Sequence, residues 1–165
     1  MQEWLSVERK WRVMIGLAVV IAAVLGLAVF LMLQRPAPKT NSLLPAETYK
    51  NLSFPVYFPE NPPADFKLDS KSIGSTSDVF TYKYDYAGGH IVFVSVQPLD
   101  PKLDISTFKP TRQINTPIGK GYLVEFDTRV TVAIVTDKSF ILINSPEGVP
   151  SFAAEQFAAS LRQVK

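Results

Sequence analysis

Residues 80 to 97 read FTYKYDYAGGHIVFVSVQ and form the most regular stretch of the sequence. Aromatic side chains occupy every second position of its first half, which predicts a strand from Val79 to Tyr86. Gly88-Gly89 predicts a two-residue hairpin turn, because such turns need residues that adopt positive φ. We therefore expect a β-hairpin whose return strand runs from His90 to Gln97.

A two-residue turn also predicts the register of this hairpin. The residues expected opposite each other are Tyr86 with Ile91, Tyr84 with Phe93, and Tyr82 with Ser95. Valines at positions 92, 94 and 96 fill the other side of the return strand, so that strand is apolar on both faces. Strands of this kind lie inside a sheet, and we expect a central position.

Further strands are predicted on both sides of the hairpin. Period-two alternation and turn residues place them at Phe66 to Ile73, Thr111 to Asn115, Tyr122 to Phe126, Arg129 to Thr136, and Phe140 to Asn144. Prolines bracket a loop from Pro98 to Pro110 that holds one short turn, Ile105 to Lys109. In the last two strands, one face is expected to carry Val130, Val132, Ile134, Ile141 and Ile143, and the other Ala133, Val135, Phe140 and Leu142.

The period changes near the C-terminus. Ser151 is a suitable N-cap for a helix from Phe152 to about Gln163, in which Phe157, Leu161 and Val164 share one stripe. Alanines at 153, 154 and 158 allow this helix to approach a sheet closely. The predicted fold class is α+β: an antiparallel sheet of about six to seven strands packed by one C-terminal helix, behind an N-terminal transmembrane helix.

The membrane segment is the run from Val13 to Leu33, 21 residues without a charged or polar side chain. At 1.5 Å per residue it spans roughly 31 Å, which matches the hydrocarbon core of a bilayer. A cleaved signal is the competing interpretation, but the run is longer than a signal core and Gln34-Arg35-Pro36 follows it. We therefore expect the lipid bilayer to be a partner through residues 13–33.

The orientation follows from flanking charge. Arg9, Lys10 and Arg12 precede the run and only Arg35 follows it closely, which predicts a cytoplasmic arm at residues 1–12 and an extracytoplasmic C-terminal domain. Prolines crowd the segment after the run, so residues 34–52 are predicted to be a Pro-rich linker. The domain is expected to occupy residues 53–165, with the aromatic segment Phe54 to Pro59 docking on it as an edge segment.

Charge and cysteine content exclude several functions. From Ser53 onward, 11 basic residues face 12 acidic ones, a balance that speaks against nucleic acid and against strong attraction to anionic headgroups. The chain has no cysteine, so disulfides, thiolate metal sites and cysteine nucleophiles are excluded.

The candidate catalytic and metal motifs are weak. Ser106-Thr107-Phe108-Lys109 matches S-x-x-K, but the companion motifs of such serine enzymes are missing and Pro110 follows at once. Asp100 and Asp104 are too sparse for a calcium loop. His90, the only histidine, cannot form a multi-histidine site, so we predict no catalytic, cofactor-binding or metal-binding residues.

Aromatic side chains provide the one candidate ligand face. It comprises Tyr82, Tyr84, Tyr86, Phe80 and Phe93. Alternating tyrosines supply contact area with a polar tip and suit a peptide, glycan or lipid. The same ladder is also what one inner face of a sheet would show, packed by Phe157 and Leu161 of the helix.

Several segments together resemble a known type of domain. They are P-x-D-F-x-L-D-S-x-S at Pro63–Ser72, F-x-Y-x-Y-D-Y-x-G-G at Phe80–Gly89, and T-D-K-S-F-I-L-I-N-S at Thr136–Ser145, before A-x-S-L at Ala158–Leu161. This order resembles uncharacterised single-pass extracytoplasmic domains of bacterial anti-sigma and lipoprotein-carrier-like, half-barrel proteins. The resemblance implies an α+β half-barrel and transfers no catalytic residues.

The sequence thus predicts a non-enzymatic envelope protein, without a cofactor, whose external domain binds or senses a protein or envelope ligand. Two alternatives stay open: a structural subunit of an envelope or pilus-like assembly, and a half-barrel that holds lipid between sheet and helix.

Overall fold

A computed structural model describes residues 44 to 164. The predicted cytoplasmic arm, the transmembrane run and most of the linker lie outside the described residues. Between Leu44 and Val164, no helix is long and apolar enough to cross a bilayer.

Nine strands and one α-helix make up the described chain. The strands are β1 Tyr57–Pro59, β2 Phe66–Ser75, β3 Phe80–Tyr86, β4 His90–Pro98, β5 Arg112–Thr116, β6 Gly119–Phe126, β7 Arg129–Val135, β8 Ser139–Ser145 and β9 Leu161–Gln163. The helix α1 spans Ser151–Ala159, and two 3-10 helices span Ala46–Thr48 and Ile105–Phe108.

Seven strands form one antiparallel sheet in the order β2-β3-β4-β8-β7-β6-β5, and β1 pairs with β9 in a separate two-stranded sheet. Helix α1 contacts β5, β7 and β8. The prediction of an antiparallel sheet with one C-terminal helix is confirmed. The interior position of β4 is confirmed as well, since β3 and β8 flank it.

The predicted register of the central hairpin is wrong by one residue. Tyr86 pairs with His90, Tyr84 with Val92 and Tyr82 with Val94. The turn holds three residues, Ala87 to Gly89, and the Gly89 amide donates to the Tyr86 carbonyl over 3.0 Å. An odd loop length reverses which residues of β4 share a face with the tyrosines, so the valines face them and Phe93 lies on the opposite face.

The two faces predicted for the last strands are confirmed. Val132 pairs with Ile143 and Ile134 with Ile141, while Ala133 pairs with Leu142 and Val135 with Phe140. We call the face of Val132 the inner face, because it continues through Val94 to Tyr82 and meets the helix. The Tyr84 ring lies 4.9 Å from that of Phe157 in α1.

The C-terminal helix is shorter than predicted. It ends at Ala159, Pro150 rather than Ser151 is its N-cap, and Leu161 to Gln163 form β9 instead of continuing the helix. The reason is β1: Phe58 and Arg162 pair across the two strands, and the Val164 amide donates to the Val56 carbonyl over 2.9 Å. Leu161 is still fully buried, as part of the core.

Packing begins earlier in the chain than the predicted boundary at Ser53. Leu44 is only 5% exposed and belongs to the core, and Tyr49 and Leu52 pack against it. The docking of Phe54 to Pro59 is confirmed, with Pro55 the least covered of the six residues. The Ser139 hydroxyl donates to the Pro55 carbonyl over 2.9 Å and ties this segment to the sheet.

The outer face of the sheet is partly covered by the connection from β4 to β5. Residues 99 to 111 must pass β8, β7 and β6 to reach the edge strand β5. The Phe108 ring lies 5.7 Å from Phe140 on this face, and the Thr111 amide donates to the Leu123 carbonyl. The uncovered part of the face lies beside the turn at Ala87 to Gly89.

Candidate functional site

The aromatic ladder forms the centre of the core. Phe80 and Tyr82 are fully buried and Tyr84 is 2% exposed. The Tyr82 hydroxyl donates to the Tyr57 carbonyl over 3.1 Å, which joins the sheet to β1. Burial raises the pKa of Tyr82 well above its usual range, with the neighbouring Tyr84 adding to the effect, and burial likewise raises the pKa of Tyr84.

Rings fill the space between the sheet, β1 and α1. Phe58 lies 4.9 Å from Tyr82, and Phe66 lies 4.8 Å from Phe157 and 4.9 Å from Tyr86. Tilted and edge-on pairs at these distances are favourable aromatic contacts. In the described domain the buried members of the ladder are therefore enclosed, and only Tyr86 among its tyrosines is partly exposed.

Phe93 does not join this group. It pairs with Lys83 and Asn144 on the outer face, where it is half-buried. The sequence placed it with the tyrosines because of the register error described above. Of the five predicted ligand-face residues, Phe93 and Tyr86 retain accessible surface in the domain.

The loop motifs have structural roles. The Asp104 carboxylate accepts the Ser106 amide over 2.9 Å and caps the 3-10 helix, and this interaction with Ser106 lowers the pKa of Asp104. Asp100 accepts the Lys102 amide over 2.8 Å in the same way. Lys109 ends the helix with φ 50°, so the S-x-x-K residues form a 3-10 turn rather than the start of an α-helix. Within residues 44–164, no cluster of histidine and carboxylate side chains is able to hold a metal ion.

Three large apolar side chains are exposed instead. In the described part of the chain, Ile91 is 52% exposed, Phe126 55% and Phe152 61%. Each lies beside a chain reversal: Ile91 follows the turn at Ala87–Gly89, Phe126 precedes the turn at Asp127-Thr128, and Phe152 is the second residue of α1.

These three reversals lie at the same end of the sheet. Asn144, near the end of β8, pairs with Phe93 near the start of β4, and Ser145 pairs with Val130 near the start of β7. The connection from β8 to α1 passes over the hairpin turn, where Gly148 lies directly against the His90 ring. We call this the Gly88 end; it comprises residues 87–89, 127–128 and 146–152 with the adjoining strand termini.

A cleft of about 650 Å³ opens at the Gly88 end. One wall is formed by the turn between β6 and β7, and the other by the residues that lead into α1. Its lining includes the apolar Val130, Val149 and Pro150, with the exposed carboxylates of Glu125 and Asp127 and the exposed Arg129 on the turn side. Arg112 holds the helix in place here, since its guanidinium forms two hydrogen bonds to Glu155 and its pKa is raised by that carboxylate.

The charge of the Gly88 end is unbalanced. Apart from the Arg112–Glu155 ion pair, its exposed carboxylates outnumber its exposed bases five to two: Asp65, Asp85, Glu125, Asp127 and Glu147 against Lys67 and Arg129. Apart from the Arg162–Glu60 ion pair, the opposite end is balanced, with Asp78, Asp100 and Asp137 against Lys102, Lys120 and Lys138. The Gly88 end is thus acidic, and it also carries all three large apolar side chains that the described domain exposes.

A second cleft, of about 470 Å³, lies at the opposite end between the turns at Pro117-Ile118 and Asp137-Lys138. Its one arginine, Arg162, is engaged by the carbonyls of Ala159 and Leu161 and lies 3.7 Å from Glu60. Because these contacts occupy the cation, this cleft is the weaker candidate for binding.

Sequence reasoning missed the Gly88 end, although a signal was present. Phe152 falls outside the buried stripe of α1, formed by Ala153, Ala154, Phe157 and Ala158. Phe126 lies on the outer side of β6, opposite to Leu123 in the alternation. Exposed large apolar residues mark a contact surface where they are grouped in one region.

Comparison with the models of known protein families gives no match, and comparison with curated proteins gives none either. The resemblance to extracytoplasmic half-barrel domains stays a prediction from the sequence.

Proposed function

We propose that this chain is a non-enzymatic, single-pass envelope protein that residues 13–33 anchor in the cell membrane. The N-terminus is cytoplasmic, and the extracytoplasmic domain binds or senses a protein of the envelope through its Gly88 end. The observation that carries the proposal is the grouping of Ile91, Phe126 and Phe152 at one end of the sheet.

Exposure of these side chains has a cost that the fold does not recover. Burying a side chain of this size contributes roughly 1.5–3 kcal/mol, and each of the three leaves about half of its area in water. Aromatic residues, Phe among them, are also enriched in the cores of protein interfaces relative to the rest of the surface. A binding role accounts for both the residue types and their common location.

The topology is tested with single cysteines, because the chain has none of its own. Ser77→Cys places a thiol in an exposed turn of the domain, and Ser6→Cys places one in the arm. In intact bacterial cells, a membrane-impermeant maleimide should label position 77 and should reach position 6 only after permeabilisation. The reverse pattern would place the domain in the cytoplasm and overturn the proposal.

The binding face is tested with a photo-crosslinking amino acid in the full chain. Positions 126 and 152 report on the Gly88 end, and position 138, exposed in the β7–β8 turn, is the matched control. We expect a discrete protein adduct from the first two positions and not from the third. Equal yields at both ends, or no adduct from either, would contradict a binding role for this surface.

A further inference from the structure

We infer that the Gly88 end docks a basic segment of a protein partner, one that carries large apolar side chains between its lysines or arginines. This inference rests on the proposed function and names the chemistry of the partner.

The Gly88 end offers apolar surface to a partner at the cleft and at the phenylalanines beside it. The cleft beside the β6–β7 turn combines the apolar Val130, Val149 and Pro150 with charged side chains of the turn, so it offers a partner side chain a mixed apolar and charged surface. Phe126 and Phe152 adjoin the two walls of this cleft in sequence, since residues 125 and 127 line one wall and residue 151 lines the other. Glu125 and Val130 line the cleft from the inner face of the sheet, whereas Phe126 lies on the outer face, so a partner segment that passes around the β6–β7 turn would contact both.

Ile91 extends the surface across the sheet. Asp85 pairs with Ile91, and Arg129 pairs with Phe126, so all four side chains share the outer face. Three strand spacings separate Ile91 on β4 from Phe126 on β6, which places them roughly 14 Å apart. That span fits the centre of a protein interface, which needs several hundred Å² on each partner.

Charge selects the partner. With five exposed carboxylates against two bases, the Gly88 end attracts cations and repels anionic surfaces. A bilayer rich in anionic lipid is therefore disfavoured as the occupant, although exposed phenylalanines would otherwise suit one. A second copy docking end to end would bring like charges together, so a basic protein segment is the occupant that fits.

The surface is held in shape before any partner binds. Val149 is 2% exposed, which seats the connection into α1 against the core, and Arg112 on the edge strand β5 forms an exposed ion pair with Glu155 of α1. The His90 ring packs directly on Gly148. A preformed surface of this kind avoids the ordering cost that a mobile loop would impose on binding.

The test uses the full chain in isolated envelopes, with the photo-crosslinking residue at position 126 or 152. Mass spectrometry of the adduct should identify a partner segment with net positive charge and apolar side chains. Raising the salt from about 0.1 M to about 1 M shortens the screening length from about 10 Å to 3 Å, and the yield should fall several-fold.

Charge-reversing substitutions test the role of the carboxylates directly. Glu125→Lys with Glu147→Lys should reduce the yield roughly tenfold at about 0.1 M salt, whereas Asp78→Lys with Asp137→Lys, an equal charge change at the opposite end, should change it less than about twofold. If Glu125→Lys with Glu147→Lys lowers the unfolding temperature of the domain, Glu125→Gln with Glu147→Gln replaces it. This neutral pair should also reduce the crosslinking yield, but by a smaller factor.

Several results would overturn the inference while leaving the proposed function intact: an adduct with an acidic or uncharged partner segment, a yield that salt leaves unchanged, or equal losses in both charge-reversed variants. An adduct with lipid, or with a second copy of the chain, would also overturn it. Absence of any protein adduct from the Gly88 end would instead remove the proposed function itself.

Discussion

Alkaline unfolding provides a direct measure of how tightly the aromatic ladder is packed. Tyr82 and Tyr84 are enclosed, and burial raises the pKa of both hydroxyls. An unfolded tyrosine releases its proton near pH 10, whereas these two keep theirs in the folded domain. The folded state therefore binds more protons above pH 10, and its stability must fall as the pH rises beyond that value.

The magnitude follows from the same linkage. At about pH 11, one unit above the pKa of a free tyrosine, ionisation stabilises the unfolded chain by roughly 1 kcal/mol for each tyrosine that stays protonated in the folded domain. The two together lower the free energy of unfolding by roughly 3 kcal/mol relative to neutral pH. Other alkaline titrations add to this loss, so the comparison is made between variants.

The assay is denaturant unfolding of the full chain in mild detergent, followed by tyrosine near-ultraviolet circular dichroism. All six tyrosines lie in the described domain, and both tryptophans lie before residue 13. Tyr82→Phe with Tyr84→Phe should remove roughly 3 kcal/mol of the alkaline loss, once the difference in free energy of unfolding between variant and wild type at neutral pH is subtracted. Tyr86→Phe with Tyr122→Phe, at partly exposed positions, is the control and should leave the alkaline loss of free energy of unfolding as it is in the wild type. If Tyr82→Phe with Tyr84→Phe also leaves that loss unchanged, the two ladder tyrosines ionise freely and are not enclosed as described.

Three further substitutions test local features of the fold, each by chemical denaturation. The Ser145 hydroxyl is the one buried side-chain polar atom between residues 44 and 164 without a hydrogen-bond partner, so Ser145→Ala should stabilise the domain by about 1 kcal/mol; a loss would mean that a partner exists. Gly148 has φ +90° and a Cβ there would lie 2.4 Å from His90 Cε1, so Gly148→Ala should lower the free energy of unfolding by about 2 kcal/mol. Adding His90→Ala to that variant removes the clash but not the backbone strain, so it should restore only part of the loss. The Ser139 hydroxyl binds the Pro55 carbonyl, so Ser139→Ala should cost about 1 kcal/mol and speed hydrogen exchange in residues 53–59 rather than throughout the domain.

The central hairpin shows how far the sequence predicts the fold. Its strands and its interior position followed from period and composition, but its register depended on one residue in the turn. Gly88-Gly89 fits a two-residue loop, yet the structure adds Ala87 and pairs Tyr86 with His90. The sequence held a signal for the correct choice, because Ser95 and Gln97 are polar while Val92, Val94 and Val96 are not. The uniformly apolar side of β4 belongs in the core.

The chain's last residues show what a local pattern is unable to reveal. Phe157, Leu161 and Val164 have helical spacing, and nothing between them forbids a helix. The helix ends because residues 161 to 163 gain hydrogen bonds from β1, about 100 residues earlier in the chain. Such a long-range pairing competes with local propensity and leaves no trace in the local period.

The candidate site was hidden for a different reason. Sequence patterns indicate how well residues fit a core, and the pattern that stands out is the tyrosine ladder, which the structure encloses. Ile91, Phe126 and Phe152 looked like ordinary apolar positions in predicted elements. Only the antiparallel order of β4, β8, β7 and β6 brings their three chain reversals to one end of the sheet.

Core and candidate surface are therefore separate parts of this domain. The rings of Phe58, Tyr82, Tyr84 and Phe157 bury their area against one another and account for the cohesion between the sheet, β1 and α1. Phe126 and Phe152 are more than half exposed and contribute little to that cohesion, so selection for stability does not explain their presence. The β1–β9 pairing also brings Val164 beside Val56, so the last described residue lies away from the Gly88 end. Residues that a fold neither needs nor shields, gathered at an acidic end, are best accounted for by a contact that another molecule completes.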